Sequence, residues 1–450
     1  MLTIFGSQKN NARSGYCDGI SRRGMLKIGA LGVGAFGLNQ ADLLRADAAG
    51  KTQMNHKSVI NIFLGGGPPH QDMWEIKTEA PKNIRGPCKP IATNVPGIQI
   101  GECFPKIAQS MDKAAVLRAV VGCEGRHDSF QCMTGFRHAE MRSIGGHPAM
   151  GSVLHKLQGP ADRSVPPYVG MKTDGVWRNP GTPGFLGATY APFIPDGAGL
   201  ANMKLNGVTT DRLSDRKSLL MSVDRLRRDV DASGQLTAID SYEQQAFDGL
   251  TSSKLVDALD IGKEAPEIRE KYGDGKPYTY KYDGAATDNT LVLRARRLVE
   301  VGVRCVTLTF GRWDSHGNNE GLVRHHGTRI DQAVGALLSD LEERGMIDDV
   351  TVLVWGEFGR TPRINKNAGR DHWPFCYSVL FAGAGVRGGT VVGRSDDQAA
   401  YVADRPVSPA DVCATIYEIL GIDPDMHVPD AAGQPVKIRL DGRVIREILA

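Results

Sequence analysis

The sequence predicts an α/β fold: a mostly parallel central sheet covered by helices on both faces, with a loop-rich and helical insertion. Three observations predict it. Short apolar runs rich in β-branched residues recur along the chain. Helical patterns with recognisable caps fall between the later runs. Glycines and polar residues gather where the runs end. Near-continuous apolar strands suit a parallel sheet buried on both faces, and strand–helix alternation suits an α/β layer arrangement.

In chain order, the N-terminus comes first. "SRRGMLKIGALGVGAFGL" begins at Ser21, with Arg22 and Arg23 as a twin-arginine pair and a mildly apolar Gly/Ala-rich run to about Leu38. "ADA" at Ala46–Ala48 supplies small residues for cleavage. Residues 1–48 therefore read as a twin-arginine signal peptide, set apart from the fold. The expected partner is the twin-arginine export machinery, and the expected location is periplasmic or extracellular.

The first strand is expected at Ser58–Leu64, followed by three glycines. Further strands are expected at Ala114–Gly122, Val303–Gly311, Asp348–Gly359 and Tyr377–Val386. Helices are expected at Thr290–Gly302, at His326–Met346, and from Ser408 as N-cap with Pro409 in the first turn to a stop at Gly421. The α/β domain spans 58–430. Within it, 159–280 reads as an insertion or cap: Gly159–Asn206 as long loops, then a charged helical region with Asp215–Asp231 as its clearest amphipathic stretch. Residues 431–450 read as a C-terminal tail.

The chain has 450 residues, 41% hydrophobic and 23% charged, with a formal net charge of +3. Such a balance excludes a dedicated nucleic-acid binder, as does the lack of a long Lys/Arg run. No apolar stretch suits a stable membrane span in the mature protein. The eight cysteines are scattered without a C-x-x-C pair, which argues against a zinc ribbon or a thioredoxin-like site. Cys88 with Cys103, and Cys123 with Cys132, are spaced so that each pair could bridge in an oxidising compartment.

Ligands of open parallel sheets bind beyond the carboxyl ends of the strands. His70 and Asp72 follow the first expected strand; Arg126, His127, Asp128 and Ser129 the second; Asp314 and His316 the third; Glu357 and Arg360 the fourth. "GRDHWP", with Asp371 and His372, precedes the fifth. Mixed carboxylate and imidazole donors suit Zn²⁺, Mn²⁺ or Fe, whereas all-oxygen sites suit Mg²⁺ or Ca²⁺. Two such cations a few Å apart could clamp a phosphoryl or sulfuryl group.

"GGGPPHQDMWEIK", "WDSHGNN", "WGEFGRTPRIN", "GRDHWP" and "PADVCATIYEILGID" together resemble the exported bacterial family known as domain of unknown function 1501, from about Ser58 to Asp423. That family in turn resembles the alkaline phosphatase/sulfatase superfamily. The resemblance implies an alkaline phosphatase-like sheet with one or two divalent metals. By it, Asp72, Asp314, His316, Glu357 and His372 are the expected metal ligands. Phe358 follows Glu357 where the superfamily has a His, so one ligand of a second site is missing. The nucleophile position falls near Ser129 or His127, before the "TG" pair Thr134–Gly135. Cys123 lacks the following Pro that formylglycine maturation requires. Arg126 and Arg360 are the expected anion binders.

The leading functional expectation is an exported metal-dependent hydrolase of phosphate or sulfate esters, sulfatase-like, acting on a small-molecule or glycan ester. The alternatives are a non-catalytic exported binding or surface protein with a degenerate site, and a metal-assisted hydrolase of another bond that forms no covalent intermediate.

Overall fold

The structure, a computed structural model, describes residues 57–142, 145–171, 181–195, 252–280, 286–430 and 433–450. The signal segment and the stretch Asp215–Asp231 lie outside the described residues. A single unit gathers His56–Ala450.

Seven strands make the central sheet: β1 (Ser58–Gly65), β2 (Ala114–Val120), β3 (Tyr168–Met171), β4 (Cys305–Arg312), β5 (Val350–Trp355), β6 (Tyr377–Gly383) and β7 (Thr390–Val392). Their order is β7-β2-β6-β5-β1-β4-β3. Every pairing is parallel except those of β6, which runs antiparallel to β5 and β2. All five expected strands are present. The edge strands β3 and β7 were not expected, being too short for a periodicity to show. β3 falls within the segment read as long loops, so that segment adds an edge to the sheet.

The apolar strands are buried on both faces because each face has its own core. In β1, Ile60, Ile62 and Leu64 face one core while Val59 and Phe63 face the other. β5 alternates likewise, Val350, Val352 and Val354 against Leu353 and Trp355. Asn61 is the polar exception in β1. Its Oδ1 accepts from Trp355 Nε1 at 2.9 Å, so the buried amide is satisfied.

Among the described residues, four helices of eight or more residues cover these faces. α1 (Met150–Gln158) and α4 (Pro409–Ile419) pack on one side, α2 (Asn289–Glu300) and α3 (Asn319–Glu343) on the other. Ser408 caps α4 in a capping box with Asp411. α3 starts seven residues earlier than expected, because Asn318 accepts from Gly321 N–H and opens the helix through a glycine-containing first turn. The segment expected as a tail packs on the domain: Ile438, Ile445 and Ile448 are buried in the α4-side core. Among the described residues no helix is long and apolar enough to cross a membrane.

The reversal at β6 positions the site. β5 ends at Trp355 and β6 returns from the same end of the sheet. Residues 356–376 are thus held at the carboxyl edge of the parallel strands. There they form a two-residue hairpin, Gly359–Arg360 with His372–Trp373.

Candidate metal centre

The loops after β1, β4 and β5 are locked together by backbone contacts. Trp313 N–H donates to Gly65 O at 2.7 Å. Gly66 lies so close that a Cβ there would sit 2.7 Å from Asp314 N, and its φ of +105 is one that glycine tolerates best. Glu357 closes the third side: its Oε1 accepts Gly66 N–H at 2.7 Å and its Oε2 accepts Gly67 N–H at 3.3 Å.

Asp314 stands at the centre. His316 Nε2 lies 3.0 Å and His372 Nε2 3.3 Å from Oδ1, while His127 Nε2 lies 3.4 Å from Oδ2. Arg360 reaches Oδ1 at 2.5 Å and Arg312 reaches Oδ2 at 2.7 Å. One donor atom from each of His127, Asp314, His316 and His372 lies within 4.8 Å of the others. Among the described residues this is the one group of its kind. Neighbouring ligands around a tetrahedral cation with bonds of about 2 Å lie roughly 3.3 Å apart. The imidazole–carboxylate spacings here match that, so the donor set fits a divalent ion.

The opposite edge of each imidazole is anchored. His316 Nδ1 is 2.7 Å from Asp371 Oδ1, His372 Nδ1 is 3.0 Å from Gly125 O, and His127 Nδ1 is 3.4 Å from Glu357 Oε1. An acceptor on Nδ1–H fixes the tautomer that leaves Nε2 free to ligate. Phe358, fully buried, sets the ring planes: its centroid is 4.4 Å from that of His372 and 5.3 Å from that of His127. Where the resemblance led to a missing ligand, the chain has a packing surface.

The electrostatics follow from this crowding. Burial opposes the charge of Asp314, but His127, His372 and Arg360 outweigh it and hold the carboxyl well below the usual range. Burial likewise works against charge on His127, yet Asp314 and Glu357 raise its pKa. Asp371 is lowered mainly by His316.

Of the expected ligands, Asp314, His316 and His372 meet. His127, expected near a nucleophile position, joins them. Glu357 stands behind His127 and is committed to the Gly66 and Gly67 amides. Asp72 lies elsewhere: fully buried, it accepts from Arg370 Nε at 2.8 Å and from Asn319 Nδ2 at 2.8 Å. Ser129 is 1% exposed at the start of a short helix, Phe130–Thr134. Arg360 is fully buried, and besides Asp314 it donates to the carbonyls of Gly66, Gly67 and Arg370. Its fork has no face left for an external anion. Arg126 is open to solvent and paired with Asp128 at 3.5 Å. Burial pushes the Cys123 thiol up to about 12, and its Sγ donates to Pro374 O.

Sequence reasoning missed Arg312, Arg370 and the role of Asp371. The signal was in "GRDH": Arg370 locks Asp72, Asp371 locks His316, and His372 reaches Asp314. Three consecutive side chains go to three different partners.

The chain matches the family described as Protein of unknown function (DUF1501) over residues 56–449. It belongs to the DUF1501 family. No curated protein matches it. Several solved structures are similar to this DUF1501 chain in overall path. A protein of the alkaline phosphatase superfamily from Vibrio parahaemolyticus gives a TM-score of 0.40 at 10% identity, covering 88% of this chain and 70% of that one. The phosphonate monoester hydrolase SpPMH from Silicibacter pomeroyi gives 0.36 at 12% identity, covering 86% and 75%. The PsFucS1 sulfatase from Pseudoalteromonas sp. gives 0.36 at 10% identity, covering 89% and 72%.

Proposed function

We propose that the protein is a metal-dependent hydrolase of phosphate or sulfate esters, exported by the twin-arginine route to work in the periplasm or outside the cell. In this reading it activates water and forms no covalent intermediate. The observation that carries it is the convergence of three Nε2 atoms on Asp314, each imidazole anchored at its far nitrogen.

His127, His316, His372 and Asp314 would hold the ion. A divalent cation there would supply Lewis acidity to polarise an ester oxygen and acidify water. Asp371, Gly125 O and Glu357 orient the imidazoles. His316 is the most exposed of the three rings, its side chain 48% accessible against 26% for His127 and 28% for His372, so solvent and substrate approach from its side. Arg126, open to solvent, supplies positive charge for an anionic ester. Burial of Ser129 favours water over a serine nucleophile.

The test is elemental analysis of the purified protein together with turnover of aryl phosphate and aryl sulfate. One equivalent of metal is expected. Asp314→Ala should lose both metal and activity, while Ser129→Ala should keep both. A protein without metal, or an active Asp314→Ala variant, would overturn the proposal. Metal binding with no turnover would favour the second reading, a non-catalytic binding protein. That reading draws on the two arginines already spent on Asp314.

A further inference from the structure

The strongest feature outside the metal centre is a pair of thiols. A short hairpin joins Pro90–Ala92 to Gln99–Gly101, with Pro90 opposite Gly101, Ile91 opposite Ile100 and Ala92 opposite Gln99. Cys88 and Cys103 flank the next pair outward, Lys89 and Glu102. The ladder extends at least one residue that way, since Glu102 N–H donates to Lys89 O at 2.8 Å.

Its phase can be read from three facts. Lys89 with Glu102 is a hydrogen-bonded position, and so is Thr93 with Ile98, whose N–H and O are 3.1 Å apart. Pro90 has no N–H and falls between them, where none is needed. Beyond Lys89 and Glu102 the chain turns, Phe104 N–H donating to Gly101 O at 3.1 Å, so Cys88 and Cys103 lie together at the open end of the hairpin. Disulfides span Cα separations of roughly 4.4–6.8 Å.

The two thiols act on each other. The Cys88 thiol is pushed up first by its hydrogen bond with Cys103 and then by burial, and the same contact draws Cys103 down. Both residues are buried, at 2% and 6% exposure. The other cysteines spaced for pairing are engaged differently: Cys123 Sγ faces Pro374 O at 3.2 Å, and Cys132 Sγ faces Gly356 O at 3.4 Å.

We infer that Cys88 and Cys103 form a disulfide across the hairpin under oxidising conditions. Each thiol loses a proton, the two sulfurs join, and two electrons pass to a disulfide oxidant that is reduced to two thiols. The bridge ties down the support of Asp72. A Cβ at Gly101 would sit 2.7 Å from Asp72 O, and one at Gly327 in α3 would sit 3.0 Å from Cys103 Cβ. It thus fastens the hairpin where β1's loop and α3 meet, behind the Asp72–Arg370 pair.

The test takes the full chain, reduced and then equilibrated with oxidised glutathione. Glu102 separates the two cysteines, so a glutamate-specific protease splits them into different peptides unless a bridge joins them. A Cys88–Cys103 linked peptide is expected, with the thiol count in denaturant falling by two. The melting midpoint should rise a few degrees over the reduced protein, and a Cys88→Ser/Cys103→Ser double variant should show no such rise. Unchanged thiol content, glutathione adducts on Cys88 or Cys103, or a bridge to another cysteine would overturn the inference. Failure of the metal proposal would leave this result unaffected, because none of its readouts uses the metal.

Discussion

Asp371 shows how one exposed side chain can matter more than its burial suggests. It touches no atom of the proposed ion, yet it holds His316 Nδ1 at 2.7 Å. Removing such an outer partner typically costs about 10–100-fold in metal affinity. Asp371→Ala should therefore weaken metal binding by that order in a chelator-competition titration, with the fold intact by circular dichroism. A variant that binds as tightly as the parent would show that His316 needs no outer anchor. At this scale the sequence was partly legible. Asp314, His316 and His372 could be found because they sit at strand ends and beside each other in short motifs. His127 and Asp72 were placed in the wrong company because loop position tells which end of the sheet a residue occupies, not which neighbour its side chain reaches. Asp72 and Arg370 chose each other: a buried carboxylate needs a buried cation, and that need is invisible in either local motif.

Elements were read more reliably than side chains, since apolar runs and caps are local signals. The strand expected at Tyr377–Val386 was found without its direction, and direction is set by a loop whose path the sequence does not reveal. Two element-scale expectations follow from groups that tie helices together. Arg296 on α2 is fully buried and meets Glu300 at 2.5 Å, Asp340 of α3 at 2.8 Å, and Glu264. Truncating one partner strands buried charge, so Arg296→Met should cost on the order of 3–5 kcal/mol in urea unfolding. Asp331 of α3 accepts from Lys106 and Ile107 N–H at 3.1 and 2.8 Å, capping the short helix Pro105–Ala108. Burial pushes its carboxyl up to about 6, against the pull of those amides. The folded pKa lies above the unfolded one, so the group's contribution is complete below about pH 4 and is lost as pH rises through 6. Asp331→Asn should flatten that part of the stability–pH curve, by roughly 2–3 kcal/mol at 1.36 kcal/mol per pKa unit. Parallel curves for the two proteins would contradict this.

For the molecule as a whole, the centre gathers the loops after β2, β4 and β5 around one point. An ion bound only in the folded state adds stability by mass action, about 2.7 kcal/mol when free metal is 100 times its dissociation constant. Chelation should lower the melting midpoint of the parent and leave that of Asp314→Ala unmoved. Equal losses in both would place the ion elsewhere.

The return of β6 beside β5 also makes the chain break-tolerant at one place. Residues 356–376 leave and re-enter the sheet on strands that are direct partners, Val354 facing Leu380. The loop's apex at Lys366–Ala368 is exposed, with Ala368 at φ 55. Brief trypsin treatment should nick the chain after Lys366. The two fragments, each contributing a central strand, should travel together through gel filtration and part only in denaturant. His316 and His372 would then come from separate polypeptides that still meet at Asp314.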